Sequence, residues 1–393
     1  MKRVELLSPA GDLEKLKIAY LYGADACYIG GQEFSLRANA NNFSLEEIKQ
    51  AVDYAHKLNK KLYVTTNIVF HNENLNGIID YLKYLEKIKV DAIILSDPLL
   101  IDIVKKYTPT LRIHISTQAC TTNGETVNYF KEMGVERVVL AREVSKEDMK
   151  EIYDKTHMDL EVFLHGAMCT CYSGRCVLSN YFTNRDSNRG GCAQVCRFVF
   201  DLDKKRNTKY SIATKDLNLS SKIKDLIETG VASLKIEGRM RSTYYVATVI
   251  NSYRKLIDAY YNNNLTKDLL HHEQKILSRV ANRESTTQYF DHQADYNDQY
   301  YIGREEVSNQ DFLGIVLDYD KKTKYATIEQ RNYFKPQQTI NIFGPNNIDF
   351  DIKIDKIYDE DFNELDAARH PRQILKIKVD QELEKDSILR VKF

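Results

Sequence analysis

The sequence carries no excess charge of either sign. Its 56 lysines and arginines are matched by 56 aspartates and glutamates, so the chain as a whole sets up no field that draws it to nucleic acid or to a membrane surface. A nucleic-acid surface would have to come from local charge. There is no apolar run of about 18 residues or more, which argues against a membrane-spanning helix. The opening MKRVELLSPAGD has neither an apolar h-region nor a small-residue cleavage site, so export is not expected and a soluble cytoplasmic protein is. Tryptophan is absent. So are His-Glu-x-x-His and any Ser/His/Asp constellation that can be placed on the chain, the most legible marks of a peptidase. No Gly-x-Gly-x-x-Gly follows a strand-like run, and Gly30-Gly31 alone is weak support for a dinucleotide fold. No solenoid repeat or low-complexity tract is found.

What is present is cysteine, concentrated in one place. Five of the seven cysteines fall between Glu161 and Arg197, at Cys169, Cys171, Cys176, Cys192 and Cys196. Cys27 and Cys120 stand alone in apolar, strand-like runs. In a reducing compartment grouped cysteines bind metal or do chemistry more often than they pair as disulfides. A lone catalytic thiol needs no such neighbours. The natural four are Cys169-x6-Cys176-x15-Cys192-x3-Cys196. Structural zinc takes short knuckles in pairs, and only the last two have that spacing. An iron–sulfur cube accepts longer, irregular loops, so spacing favours it, with zinc and unligated cysteines as the alternatives. Cys171 is the expected spare, since it would compete with Cys169 for one corner.

At 393 residues the chain can bury a large core and is expected to hold more than one domain. Eight strand-like runs, at 4–11, 26–31, 61–69, 91–97, 111–119, 137–144, 160–168 and 232–239, alternate with helical patterns. This points to a (β/α)8 TIM-like barrel, with a doubly wound open sheet as the other architecture. Asp12, Ser44 and Ser145 are placed to cap helices, and Gly23, Gly134 and Gly230 to end them. The cysteine-rich segment 169–209 then becomes an insertion after strand seven, at the barrel end where such folds keep their chemistry. The barrel domain is expected over 1–263, a linker with one short helix over 264–302, and a small C-terminal all-β barrel over 303–393.

Polar residues at the ends of the strands are candidates for the site. His165 is a candidate proton carrier. Lys235, Glu237 and Arg239 alternate along strand eight, with Arg241 just past the turn, and could hold an anionic substrate group, carboxylate or phosphate. Asn67 and Gln118 are candidate substrate contacts. Each could instead cap a helix, pair across a loop or fill the core. From Arg185 to Lys209 the insertion has an excess of four positive charges, among them Arg185, Arg189, Arg197, Lys204, Lys205 and Arg206. Tyr181, Phe182, Phe198 and Phe200 lie among them, giving faces on which bases could stack; a solvated loop would look similar.

The stretch HGAMCTCYSGRCVLSNYFTNRDSNRGGCAQVCR, with LLSPAGDLEKLKIAYLYGADACYIGG and ASLKIEGRMRS, resembles the peptidase U32 family, over nearly the whole length. The family signature falls on Glu161, Phe163, Gly166, Ala167, Met168, Cys169, Cys176 and Ser179. Within it the chain is most similar to the branch that makes 5-hydroxyuridine at the tRNA wobble position and depends on prephenate. Sister branches hydroxylate an rRNA cytidine or the ubiquinone ring, and the family began with collagenase-like peptidases. The resemblance implies a 4Fe–4S cluster on Cys169, Cys176, Cys192 and Cys196, prephenate as co-substrate, and tRNA as partner, with a related paralogous chain as a further one and no membrane. His165, Glu237, Lys235 and Arg239 are then the expected catalytic residues, and Arg185, Arg189, Arg197, Arg241, Asn67 and Gln118 the expected RNA and substrate contacts. A peptidase and a non-catalytic RNA-binding protein remain as the other readings.

Overall fold

Short apolar runs bounded by Gly and Asp become parallel strands, and the amphipathic stretches between them become the helices that cover their outer faces. The computed structural model describes residues 3–36, 42–201, 209–280, 283–300 and 310–392. Lys204, Lys205 and Arg206 lie outside the described residues. The barrel strands are β1 (Glu5–Pro9), β2 (Ala26–Gly30), β3 (Lys61–Thr66), β4 (Ala92–Leu95), β5 (Ile113–Ile115), β6 (Arg137–Val139), β7 (Asp159–Gly166) and β8 (Ser233–Ile236). Each pairs in parallel with the next, and β8 pairs with both β7 and β1, so the sheet closes on itself. This is the expected TIM-like barrel.

The helices follow the expected caps. Asp12, Ser44 and Ser145 each accept a backbone N–H from the first turn of α1 (Leu13–Leu21), α2 (Leu45–Lys57) and α6 (Lys146–Thr156). The layer is completed by α3 (Ile78–Lys87), α4 (Leu99–Tyr107), α5 (Gly124–Glu132), α8 (Ile223–Glu228) and α9 (Thr243–Tyr261), while the short α7 (Leu178–Thr183) lies in the insertion.

The barrel interior is partly charged. Glu5 and Glu161 point inward and share Arg137, whose Nη1 lies 2.6 Å from Glu5 and 3.2 Å from Glu161. The Tyr63 hydroxyl donates to Glu5 at 2.8 Å. Apolar Leu7, Ala26, Ala92 and Ile94 fill the space between.

The segment expected as a linker does more than connect. It carries α10 (Lys267–Val280), as read from the sequence, but also two short strands. Ser285–Thr286 pairs in parallel with Asp216–Asn218, which itself runs antiparallel to β7. Gln299–Tyr300 pairs with Ala213–Thr214. The polar composition hid these pairings because they are two-residue strands on the rim of the barrel.

The C-terminal unit is an antiparallel sheet of eight strands, among them Phe312–Asp320, Tyr325–Gln330, Thr339–Phe343, Asp349–Lys353, Ile374–Lys378 and Ile388–Val391. It encloses its own apolar cluster around Val316, Ile328, Phe334, Ile342 and Leu375. Tyr22, at the C-terminal cap of α1, reaches it with its hydroxyl donating to the carbonyl of Asp386 at 2.7 Å, and the Tyr244 ring of α9 stacks on Phe312.

Candidate functional site

The C-terminal ends of the barrel strands and the insertion between β7 and β8 enclose a cavity of about 490 Å³. All five clustered cysteines line it. Cys27 and Cys120 do not, as their isolation in the sequence implied.

Several hydrogen bonds hold the cysteine segment in place. Glu143, just beyond β6, accepts both the backbone N–H and the hydroxyl of Ser173, each at 2.6 Å. Ser173 is buried and left-handed, at φ 45°. The Asn188 side chain brackets Cys176 from both sides, accepting its N–H at 3.1 Å and donating to its carbonyl at 2.9 Å. Leu178 N–H points at the Cys176 sulfur, 3.3 Å away. The Ser179 hydroxyl accepts the N–H of Ala193, fixing the chain beside Cys192. At the root of the insertion Gly166 sits at φ 114°, and a Cβ there would lie 2.5 Å from the carbonyl oxygen of Glu237. Only glycine suits both the conformation and the close approach.

The Cys171 thiol contacts both Cys169 and Cys176; its bond to Cys169, burial and the bond to Cys176 together push its ionisation up. Burial, with Cys169 beside it, pushes Cys196 up as well. Crowded thiols that resist ionisation are what a cationic metal group relieves. Among the described residues, the only three or more His, Cys, Asp or Glu ligand atoms within 4.8 Å of one another belong to His292, Asp295 and Asp298, so no three of the thiols are that close. Gathered in one cavity, with Cys171 against both Cys169 and Cys176, the thiols form a donor set that suits a soft metal group.

Facing them is a cationic wall. Arg142, Arg197, Lys235, Arg239, Arg241 and Arg283 line the cavity, with Glu237 as the one lining carboxylate among the described residues.

The sequence profile of peptidase family U32 matches residues 11–300, and that of the U32 C-terminal domain matches 308–390. The chain belongs to peptidase family U32. It is 46% identical to tRNA hydroxylation protein P1 of Bacillus subtilis (strain 168), over 99% of this chain and 95% of that protein. It is 33% identical to tRNA hydroxylation protein P of Escherichia coli (strain K12), over 90% and 89%. To the 23S rRNA 5-hydroxycytidine C2501 synthase of the same organism it is 37% identical, over 65% of this chain and 40% of that protein.

Within this U32 chain the expected catalytic residues separate. His165 does not line the cavity. It packs against α9, buried, with Nδ1 3.1 Å from the Tyr253 hydroxyl and its ring beside Tyr245. Burial, with Arg241 nearby, lowers its pKa to about 3. It is therefore a neutral wedge between barrel and helix and not a proton carrier in the cavity. The cause is a register irregularity: Lys235 pairs with Phe163 but Ile236 pairs with His165. Lys235 reaches the cavity floor, yet its Nζ is 2.8 Å from Glu161 Oε1, both groups buried. Arg239 is buried too and donates to the Leu36 carbonyl. Both residues expected to hold a substrate carboxylate thus line the cavity and also make internal contacts. Glu237 does line the cavity, with the Tyr28 hydroxyl 3.3 Å from its carboxylate.

Of the expected substrate contacts, Asn67, Gln118, Arg197 and Arg241 line the cavity. Asn67 donates to the Ser116 hydroxyl, and Gln118 to the Ser173 carbonyl. Arg189 is instead a tether, 2.7 Å from Glu73 on the loop after β3, and Arg185 is exposed on the insertion away from the cavity lining. Sequence reading missed Asp216 and Arg283. Buried Arg283 lies 2.8 Å and Arg241 3.4 Å from the Asp216 carboxylate. Nothing in the local sequence marks them, because they meet through the two-residue strand pairing at 216 and 285.

The insertion also exposes large apolar side chains. Tyr181 is 85% exposed and Phe182 58%, with Tyr172, Val177, Phe198 and Val199 also on the surface.

Proposed function

We propose that the protein is an RNA-hydroxylation enzyme acting on tRNA. In this reading it places the hydroxyl at C5 of the wobble uridine, depends on prephenate, and uses a 4Fe–4S cluster held by Cys169, Cys176, Cys192 and Cys196. The tRNA assignment is supported by 46% identity, along 99% of the chain, to a protein named for tRNA hydroxylation. One observation carries the chemistry: at the barrel mouth, five cysteines, five arginines and Lys235 line a single cavity.

Replacing C5–H by C5–OH is a two-electron oxidation that requires an oxygen atom and an electron acceptor. An iron–sulfur cluster, when bound, supplies electron transfer at a potential tuned by hydrogen bonds and burial. The residues of the chain supply the setting. A base must leave its stack to reach a cavity at a barrel mouth, and Tyr181, Phe182 and Phe198 offer exposed faces on the way. Phe163 and Tyr28 line the cavity as further aromatic surfaces. Met168, Leu178 and Val195 dry the wall beside the thiols, and the N–H of Leu178 is aimed at the Cys176 sulfur.

A peptidase reading is less well supported, since among the described residues no histidine lines the cavity to activate a cysteine. Nucleoside analysis of RNA from a strain lacking the gene tests the proposal. The expected result is loss of 5-hydroxyuridine-derived nucleosides from tRNA, restored by the gene. Loss from a ribosomal cytidine alone would move the activity to that sister reaction. Intact RNA, with gelatin cleaved by the purified protein, would overturn the reading.

A further inference from the structure

The cations around the cavity differ in what they touch. Lys235 is paired with Glu161, Arg241 and Arg283 with Asp216, Arg239 with the Leu36 carbonyl and Arg197 with Gln194. Arg142 is the exception. Its guanidinium has no carboxylate and no hydrogen-bond acceptor among the described residues; its Nε is buried without a partner, as is that of Arg283, whose guanidinium is nevertheless paired with Asp216. Its carbon centre lies 4.1 Å over the Phe163 ring. Its backbone N–H donates to the Ser173 hydroxyl at 3.2 Å, fixing where the side chain departs.

We propose that Arg142 is the anchor for a carboxylate of the small organic acid bound in this cavity. A guanidinium stacked on a ring has its plane set by the ring and presents its N–H edge sideways, in the geometry that grips a carboxylate with two parallel hydrogen bonds. A buried donor left without an acceptor costs stability that a bound anion returns. Uncharged donors stand close by. A Cβ on Gly174 would lie 2.9 Å from Gln118 Nε2 and 3.9 Å from Arg142 Nη1, so both groups face the same glycine. The site is partly covered: Phe163 sits inside the barrel, while Arg142, Gln118 and Gly174 are half-buried. A flipped base and a small acid can enter such a space, whereas the phosphates of a polynucleotide stay at the rim. Carboxylate is therefore favoured over RNA phosphate. The identity of the acid as prephenate rests on the function proposed above.

The test is calorimetric titration of the full-length, anaerobically purified protein with prephenate, and separately with inorganic phosphate, with tRNA affinity measured alongside. Arg142→Gln should weaken prephenate binding by about tenfold to a hundredfold, the loss expected for a charge-assisted pair. Arg142→Lys, which keeps the charge but not the fork, should recover part of it. Iron content and tRNA affinity should stay at the wild-type values in both variants. Phosphate should bind far more weakly than prephenate. Wild-type protein that does not bind prephenate, or Arg142→Gln that binds it unchanged, would overturn the proposal. So would a fall in tRNA affinity with prephenate binding intact, which would assign Arg142 to an RNA phosphate. If tRNA from the deletion strain is unaltered while Arg142→Gln still loses the acid, the function reading fails and the anion site stands.

Discussion

The carboxylate of Glu143 holds Ser173 by two hydrogen bonds of 2.6 Å, one to its backbone N–H and one to its hydroxyl. Through this contact the end of the sixth barrel strand sets the path of the loop that carries Cys169, Cys171 and Cys176. Glutamine at 143 has the same shape but one good acceptor oxygen in place of two. Glu143→Gln should lower the unfolding free energy by about 1–3 kcal/mol, read as a lower denaturant midpoint, and should reduce the iron retained after gel filtration. A variant with the wild-type midpoint and full iron would show that the loop holds its path without this clamp.

His165 should matter to stability and not to chemistry. Its folded pKa of about 3 lies below the ordinary value of 6.5. Between these values the unfolded chain holds a proton that the folded chain refuses. The stability tied to neutral His165 is thus complete above about pH 6.5 and is lost as pH falls toward 3. His165→Gln should flatten the rise of stability with pH in that window and leave hydroxylation at neutral pH within a few-fold of wild type. A collapse of activity without a change in the pH–stability profile would restore the histidine as a proton carrier.

Lys235 and Arg142 both line the cavity, but their removal should read differently. Lys235→Met leaves Glu161 buried with only Arg137 to balance it, which should cost about 3–5 kcal/mol. Adding Glu161→Gln should recover much of that loss. Unfolding midpoints of the single and double variants check this, and a Lys235→Met protein as stable as wild type would contradict the pairing.

Tyr181 is almost fully exposed and Phe182 keeps only an edge-on contact with Phe200. Their joint replacement by alanine should leave the melting temperature and iron content unchanged and weaken tRNA binding by about tenfold or more, the usual cost of removing a stacking face. Unchanged tRNA affinity in a filter-binding assay would take RNA recognition away from this face.

Much of this was legible in the sequence because the signals were local. Asp12, Ser44 and Ser145 cap the helices they were expected to cap, and the long gap between the seventh and eighth strands located the insertion. The cysteines that were grouped in sequence meet in one cavity. What was hidden depends on register and on distant partners. Alternation along Lys235, Glu237 and Arg239 gives no hint that Lys235 meets Glu161 across the strand, nor that the slip beside Phe163 turns His165 toward Tyr253. Asp216 and Arg283 are ordinary residues in polar segments until two short strands bring them together. Arg142 could be named as a strand-end cation, but only the structure distinguishes it from its partnered neighbours.

The central claim is that Cys169, Cys176, Cys192 and Cys196 hold one iron–sulfur cube, and metal and sulfide content per chain after anaerobic purification tests it most directly. The expected result is about four iron and four acid-labile sulfide per chain, with broad absorbance near about 400 nm. Both should be lost on replacing any of the four by serine and retained in Cys171→Ser. A colourless protein with about one zinc per chain, or one in which Cys171→Ser alone empties the site, would contradict it.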